Sequence, residues 1–460
     1  MFFIAYLKQY DIIFYKGVIL VCKKIIVAGG GHGGIATASL LSQKGFDVTV
    51  YEKNTRENIG YDWTDIFDPK AFNVAGIPMP SENLYELKTD MTFYTPAGNT
   101  PIRQRVPDDK AEIKMERKDI YNHLITHAEN NGVKFVFDCS VYGPICKGET
   151  VVGIKTSQGD FYGDLVIDAC GCESPVRAGL PARFGVQKHP SVNEKFYVYR
   201  AFYNREICDD VEDKYKVCLL PEGILGIGWI ATEEEYTDLL IGRFKPFDIE
   251  EVNRTADYYR QTNPSLGTKL VRGGQFVEIP VRQTLALMVA NGYAAIGDSA
   301  FMTVPIIGSG IANSLRAAPI LAEVVASNSD KSYTAEVLWD YQVAYYKKLG
   351  AGLSPLALVK LLLTKITPEQ LDYLFDKQII TWREMTITAD TTSLFDFIHI
   401  APDMPKRGLL ITKDKDLMKK LLKVAEDISK LMVINSTIPV KYNKVKVMNW
   451  ARKYNKCFYM

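Results

Sequence analysis

The 460-residue sequence has no apolar run long enough to cross a bilayer. Its most apolar stretch, "MFFIAYLKQYDIIFYKGVILV", is broken by Lys8, Asp11 and Lys16, well short of the ~20 residues that a spanning helix needs. A signal peptide would want a basic start and a small-residue cleavage site, and this stretch shows neither clearly. Cysteine is scarce and scattered. Eight residues, at 22, 139, 146, 170, 172, 208, 218 and 457, form no Cys-x-x-Cys pair. That argues against a disulfide scaffold and iron–sulfur ligation, and fits a reduced, cytoplasmic protein. Net charge is nearly absent, +1 in all, so the whole chain offers no pull on nucleic acid. There is no internal repeat and no low-complexity tract, and only one strand–GxGxxG–helix unit.

What the chain does have is concentrated glycine. "VAGGGHGG", Val27 to Gly34, places five glycines in eight residues directly after the apolar run "KKIIVA". Glycine at that density raises the entropy cost of ordering, so bare backbone must be needed there. With "GGIATASLLSQKG" and "DVTVYEK" behind it, the segment reads strand, turn, helix, strand. Gly29-x-Gly31-x-x-Gly34, with Gly33 inside it, holds the place of the dinucleotide fingerprint. There the first glycine makes the turn, the second lets backbone approach a pyrophosphate, and the last lets helix pack on strand. Free N–H groups at the helix start face the phosphates. Glu52, ending the second strand, is placed to bind an adenosine ribose and to repel a 2′-phosphate. The fingerprint alone does not choose between NAD and FAD.

Loop-like sequence rich in Gly, Pro, Asn and Asp runs on to about Pro107. "MERKDIYNHLITHAENNG" then reads as a helix stopping at Gly132, and "VKFVFDCSV" as a strand. "VVGIKT", the turn "SQGD" and "LVIDA" read as a hairpin feeding another strand. Residues 184–276 alternate as an antiparallel sheet does, "GYAAIGDSAF" returns to a buried strand, and the chain is helical from about Ser332. Thr367-Pro368-Glu369-Gln370 is a capped helix start, and Leu417, Leu421, Val424, Ile428 and Leu431 form one apolar stripe. Beyond Ile428 there is no acidic residue. This basic tail reads as solvated or partly disordered, with weak contact to an anionic membrane surface as its other use.

Gly297-Asp298, followed by Pro305 and Gly308-x-Gly310-Ile311, resembles the second FAD fingerprint of the flavoprotein superfamily that includes geranylgeranyl reductases and aromatic-ring hydroxylases. The resemblance extends from residue 24 to about 325. It implies that Asp298 binds the ribityl chain, and that Gly308, Gly310 and Ile311 bring a helix N-terminus to the flavin pyrimidine, where reduced flavin is negative. It also implies that Arg117 lies near the FAD, that the Val141 backbone meets adenine, and that Asp168, Ser174 and Arg177 form a family motif. "RGGQFVEIPVRQTLALMVANGYAAIGD" is similar to geranylgeranyl reductases in particular. Two departures stand out. Ser299, Ala300 and Phe301 replace the usual Ala-Ala-Gly, and of the family's aromatic–Trp–Phe–Pro substrate motif "GIGWIAT" keeps only Trp229.

The fold expected is therefore α/β: an FAD-binding Rossmann-type (glutathione-reductase-like) domain, an inserted antiparallel β substrate domain and a helical C-terminal region. The first would span 23–183 and 277–328, including the loop region 54–107; the second 184–276; the third 329–460 with its basic tail. Residues 1–22 read as an extension. A start near Val21 would make the first twenty foreign to the native protein, and mass spectrometry finding them there would dismiss that reading.

The function expected is that of an FAD-dependent oxidoreductase, forming or reducing a carbon–carbon double bond in an apolar small molecule by hydride transfer. The alternatives are a flavin-dependent monooxygenase using NAD(P)H and O2, and a flavin-binding protein without turnover. The electron donor, NAD(P)H or another, would bind only transiently. Asp62, Trp63 and Asp65 in "GYDWTDIF" either meet substrate or pack the loop, and Trp229 is a further substrate candidate. Arg200 and Arg282 read as surface charge more readily than as an anion anchor. His123 and His127 lie four apart on a helix but have no third ligand, so no metal is expected. Cys170 and Cys172 read as small packing residues ahead of a redox pair, and no catalytic residue announces itself.

Overall fold

A computed structural model describes residues 12–15, 18–206, 211, 213–385 and 404–458. Lys24–Ala28 is a strand whose last four residues are all buried, the mark of a parallel strand covered on both faces. It pairs in parallel with Asp47–Tyr51 on one side and Leu165–Asp168 on the other. The complete sheet runs Lys134–Val136, Asp47–Tyr51, Lys24–Ala28, Leu165–Asp168, Tyr293–Ala295, Val289–Ala290, with only the last pair antiparallel. The chain thus leaves this sheet after Asp168 and rejoins it more than a hundred residues later.

Between those points lies most of a seven-stranded sheet, ordered Leu266–Pro280, Lys195–Arg205, Tyr236–Arg243, Gly226–Thr232, Tyr215–Leu219, Asp90–Tyr94, Ile102–Arg105. Its last two strands come from the stretch expected to be loop. Two more strands from that stretch, Thr64–Phe67 and Tyr85–Lys88, flank Glu112–Glu116 in a small antiparallel sheet. Asp213 explains why the distant pair joins. Its carboxylate accepts from Arg103 Nε at 3.0 Å, Tyr94 Oη at 2.5 Å and Thr92 Oγ1 at 2.8 Å. Burial opposes that charge, but these donors outweigh it and hold the carboxyl down to about 2.

One face of the seven-stranded sheet, carrying Tyr199, Ala201, Leu239 and Ile241, is covered by the helix Ile249–Thr262. The other face divides. Phe196, Val198 and Phe202 pack against Trp63, while Phe93, Val217 and Trp229 pack against the C-terminal helices. Thr367 caps the helix Pro368–Asp376 in a full capping box with Gln370. The basic tail is not a solvated strand of chain. Val447, Trp450, Ala451 and Tyr454 recur at helical spacing and are the buried face of the helix Lys444–Lys456. Trp450 stacks on Tyr454 with ring centres 5.4 Å apart and donates to the Ile434 carbonyl at 2.9 Å. Of residues 1–22, the described part includes a two-stranded ribbon, Ile12–Tyr15 with Val18–Val21. Among the described residues no single helix is long and apolar enough to cross a membrane.

Candidate cofactor and active site

The two glycine motifs, nearly three hundred residues apart, meet. Gly33 is the second residue of the helix His32–Gln43, and Ser314 the fourth of the helix Ile311–Ala326. A Cβ on Gly33 would lie 2.9 Å from the Ser314 carbonyl oxygen and 3.1 Å from Ile296, so the helices cross near both N-termini with no room for a side chain. Gly29 holds φ +86° and lies against the Ala169 carbonyl oxygen, 2.7 Å from where a Cβ would stand. The fold therefore demands glycine there twice over. Gly34 packs on Ala169 and Val27 in the same way, and Gly31 caps the helix with no side chain over its free N–H groups.

Glu52 is 7% exposed and pins this turn from below. Its Oε2 accepts from the Gly30 N–H at 2.8 Å and its Oε1 from Asn54 N and Nδ2 at 2.9 and 2.8 Å. Across the site, Asp298 is the second residue of the one-turn helix Gly297–Ala300 and accepts from Thr303 Oγ1 at 2.7 Å. Burial raises its carboxyl above the usual range. Gly308 takes φ +70°, and Gly310 caps the second helix, where a Cβ would lie 3.1 Å from Asp298 Oδ1. Ile311 opens that helix and is buried. Val141, partly buried, opens the strand Val141–Lys147 beside the first sheet.

Arg117 opens its helix as expected, but its guanidinium is engaged within the chain. It grips both oxygens of Asp65, Nε to Oδ2 at 2.6 Å and Nη2 to Oδ1 at 2.5 Å. Burial opposes the guanidinium charge, and Asp65 outweighs it. The rings of Tyr61 and Trp63 each centre 5.0 Å from the guanidinium. Asp62 faces the other way, accepting from Arg272 Nη1 at 2.9 Å and the Gly273 N–H at 3.2 Å on the long strand Leu266–Pro280. Both loop carboxylates are thus ion-paired, and Trp63 is 5% exposed in an apolar cluster. Trp229 lies on the same sheet face but among C-terminal side chains.

Arg200 and Arg282 are buried, which overturns their reading as surface charge. Arg200 donates to both oxygens of Asp238 at 2.9 and 2.5 Å and to Thr64 Oγ1 at 2.8 Å, tying the sheet to the loop strand. Arg282 meets Glu194 at 2.9 Å, and its guanidinium lies over the Phe301 ring at 4.6 Å. Arg177 lies over the same ring at 4.5 Å. Phe301 keeps φ +57°, the left-handed backbone that glycine, the usual residue there, adopts freely. Asp168 accepts from Ser174 Oγ at 2.6 Å and Tyr293 Oη at 2.9 Å, and Arg177 donates to the Ser299 carbonyl at 2.6 Å. This motif buttresses the turn that carries Asp298.

Sequence reasoning passed over His32, although it stands inside the glycine motif. It stacks on Tyr121, ring centres 4.5 Å apart, and its buried Nε2 has no partner. Burial, then the nearby Arg117 charge, push its imidazole down to about 3. Burial likewise raises the Cys170 thiol well above its usual value and the Cys172 thiol to about 12, so neither is a ready thiolate. His123 Nε2 lies 2.7 Å from the Pro78 carbonyl, and His127 pairs with Asn131. Among the described residues no three ligand-type side chains gather around one point.

Comparison with known proteins agrees with this geometry. A model of the NAD(P)-binding Rossmann-like domain matches residues 27–78. A digeranylgeranylglycerophospholipid reductase of Sulfolobus acidocaldarius is 23% identical, over 90% of this chain and 93% of its own length. A geranylgeranyl bacteriochlorophyll reductase-like structure from Thermoplasma acidophilum superposes with TM-score 0.70 at 19% identity, covering 86% of this chain and 99% of that one. In sequence and in fold the chain is similar to the geranylgeranyl reductases. The fold is also that of a probable FAD-dependent monooxygenase from Pseudomonas aeruginosa, with TM-score 0.55 and 18% identity over 77% of this chain and 99% of that one.

Proposed function

We propose that the chain is an FAD-dependent oxidoreductase that reduces a carbon–carbon double bond in an apolar lipid. The observation that carries this reading is the crossing of two glycine-started helices at Gly33 and Ser314, with Glu52 and Asp298 on either side. The residues fit an FAD. Two helix N-termini without side-chain caps favour a negative pyrophosphate and a negative reduced ring. Glu52 would hold the adenosine ribose, and Asp298 would accept from a ribityl hydroxyl. The buried, unpartnered His32 Nε2 leaves one more polar group for the cofactor to satisfy.

When bound, FAD supplies hydride transfer, and the protein supplies orientation and electrostatics. Glu52 fixes the glycine turn through the Gly30 N–H, so the turn is shaped before the cofactor arrives. Arg177 holds the turn of Asp298 by its grip on Ser299. The Asp62–Arg272 and Arg200–Thr64 contacts clamp the loop strand onto the seven-stranded sheet. Arg117 holds both oxygens of Asp65 beside Tyr61, which shapes the edge of the site and occupies that carboxylate within the chain. NAD(P)H or another donor visits transiently, without a nucleotide fold of its own. The curated lipid reductases matched over most of their length support the substrate class.

Anaerobic mixing of the photochemically reduced protein with polyprenyl lipids tests the reading. Reappearance of oxidised flavin with stoichiometric loss of a double bond is expected. Product formed only when oxygen is admitted would instead establish the monooxygenase, the alternative that the shared fold keeps in view.

A further inference from the structure

The near-neutral total hides a divided molecule. Residues 404–458 hold 14 of the 55 lysines and arginines but 4 of the 54 acidic residues, so this segment carries +10 and the rest of the chain −9. In the structure it forms chiefly two helices, Lys415–Ser436 and Lys444–Lys456. Their inner sides are apolar and packed: Leu417, Ile428 and Leu431 on the first, Val447, Trp450 and Tyr454 on the second.

The outer side of the first helix carries Lys419, Leu422, Lys423, Glu426, Lys430 and Val433. Their spacing of three and four puts them on one stripe. Leu422 and Val433 are each 63% exposed, and beyond the helix Val440 is 60% and Val445 69% exposed. Lys423 and Lys430 are paired along the helix with Asp427 and Glu426. Lys441, Lys444, Lys446 and Lys453 have no ion-pair partner among the described residues and stand in solvent beside the exposed valines.

Aliphatic side chains held out among ammonium groups, several of them unpaired, match an anionic bilayer surface, where headgroup phosphates meet the lysines and the aliphatics enter the interface. A nucleic acid would use the charges but gain nothing from leucine and valine. The rings a single strand would stack on are turned inward, with Trp450 4% exposed and Tyr454 fully buried. We propose that this C-terminal helical layer docks the protein on an anionic lipid bilayer. The docking stands apart from the reaction assigned above, yet it suits it. Leu417, Met418, Leu421 and Val424, on the inner side of the same helix, pack into the cluster that holds Phe93, Val217 and Trp229 on the seven-stranded sheet. The outer stripe and that cluster thus lie on opposite sides of one helix.

Co-sedimentation of the full chain with vesicles tests this, using phosphatidylcholine alone and a mixture with about a third phosphatidylglycerol. Binding to the mixed vesicles that weakens steeply as salt rises, with little binding to the neutral ones, is expected. The triple variant Lys444→Glu/Lys446→Glu/Lys453→Glu should lose ~100-fold in affinity, and arginine at the same positions should restore it. Leu422→Gln/Val433→Gln should lose on the order of ten-fold, chiefly the part that survives high salt. Flavin content and melting temperature, read on the same samples, stay unchanged if only docking is lost, which separates failure here from failure of the assigned reaction. Equal binding to both vesicles, no binding to either, or wild-type binding by the triple variant would overturn the proposal. So would tighter binding to DNA that ignores the leucine and valine changes, which would point to nucleic acid.

Discussion

The glycine turns and the seven-stranded sheet hold their shapes by opposite means. In the turns the constraint is local backbone: Gly29 at φ +86°, Gly33 with no space for a Cβ, Gly308 at φ +70°. In the sheet it is side-chain pairing between segments far apart in sequence: Arg200 with Asp238 and Thr64, Arg272 with Asp62 and Glu116, Asp213 with Thr92, Tyr94 and Arg103. The first kind leaves a mark in a short window of sequence. The second leaves charged residues that look ordinary until their partners are known.

That contrast is sharpest at Asp238. Replacing it with Ala strands the buried Arg200 guanidinium and should cost about 3–5 kcal/mol in urea unfolding. The double variant Arg200→Met/Asp238→Leu should recover most of the loss, since a buried pair replaced by apolar groups is often tolerated. If Asp238→Ala unfolds like the wild type, side-chain pairing does not hold this sheet. Gly29→Ala probes the other side. Left-handed backbone and the approach to Ala169 together should cost about 2–4 kcal/mol, with loss of bound dinucleotide, seen by calorimetry and absorbance.

His32 sits where the two kinds of constraint meet, a half-buried side chain in the glycine turn whose Nε2 is buried. Its folded pKa lies near 3 against 6.5 in the free residue, so the unfolded chain takes up the proton first. Stability should therefore be intact above pH 6.5 and fall as the pH drops toward 3, by roughly 2–3 kcal/mol from this residue. His32→Phe keeps the stack on Tyr121 and should flatten that part of the pH profile of the melting temperature; an unchanged slope would exclude His32 as its source. The smallest effect belongs to a purely local device. Thr367→Ala removes a helix cap and should cost ~1 kcal/mol in thermal unfolding, without touching flavin content.

The same contrast explains what could be read in advance. The strand–turn–helix of "VAGGGHGG", the placing of Glu52 and the Asp298 turn were legible because each needs particular residues in one window. The strands Asp90–Tyr94 and Ile102–Arg105 read as loop because they lie in a stretch rich in Gly, Pro, Asn and Asp, and their reason for pairing, Asp213, lies more than a hundred residues on. Arg200 read as surface charge because its partner Asp238 stands on another strand. The tail read as solvated because its lysines hid the spacing of Val447, Trp450 and Tyr454. Phe301 shows the reverse case: a departure from the usual glycine that keeps glycine's backbone conformation, with its ring in contact with both Arg177 and Arg282.

The central claim is that the two glycine turns together hold one flavin dinucleotide. It is met most directly by denaturing the purified chain and identifying what it releases. One equivalent of FAD per chain, lost from the Gly29→Ala and Asp298→Ala variants alike, is the predicted result. A chain that releases no flavin, or a nicotinamide dinucleotide in its place, would contradict the account.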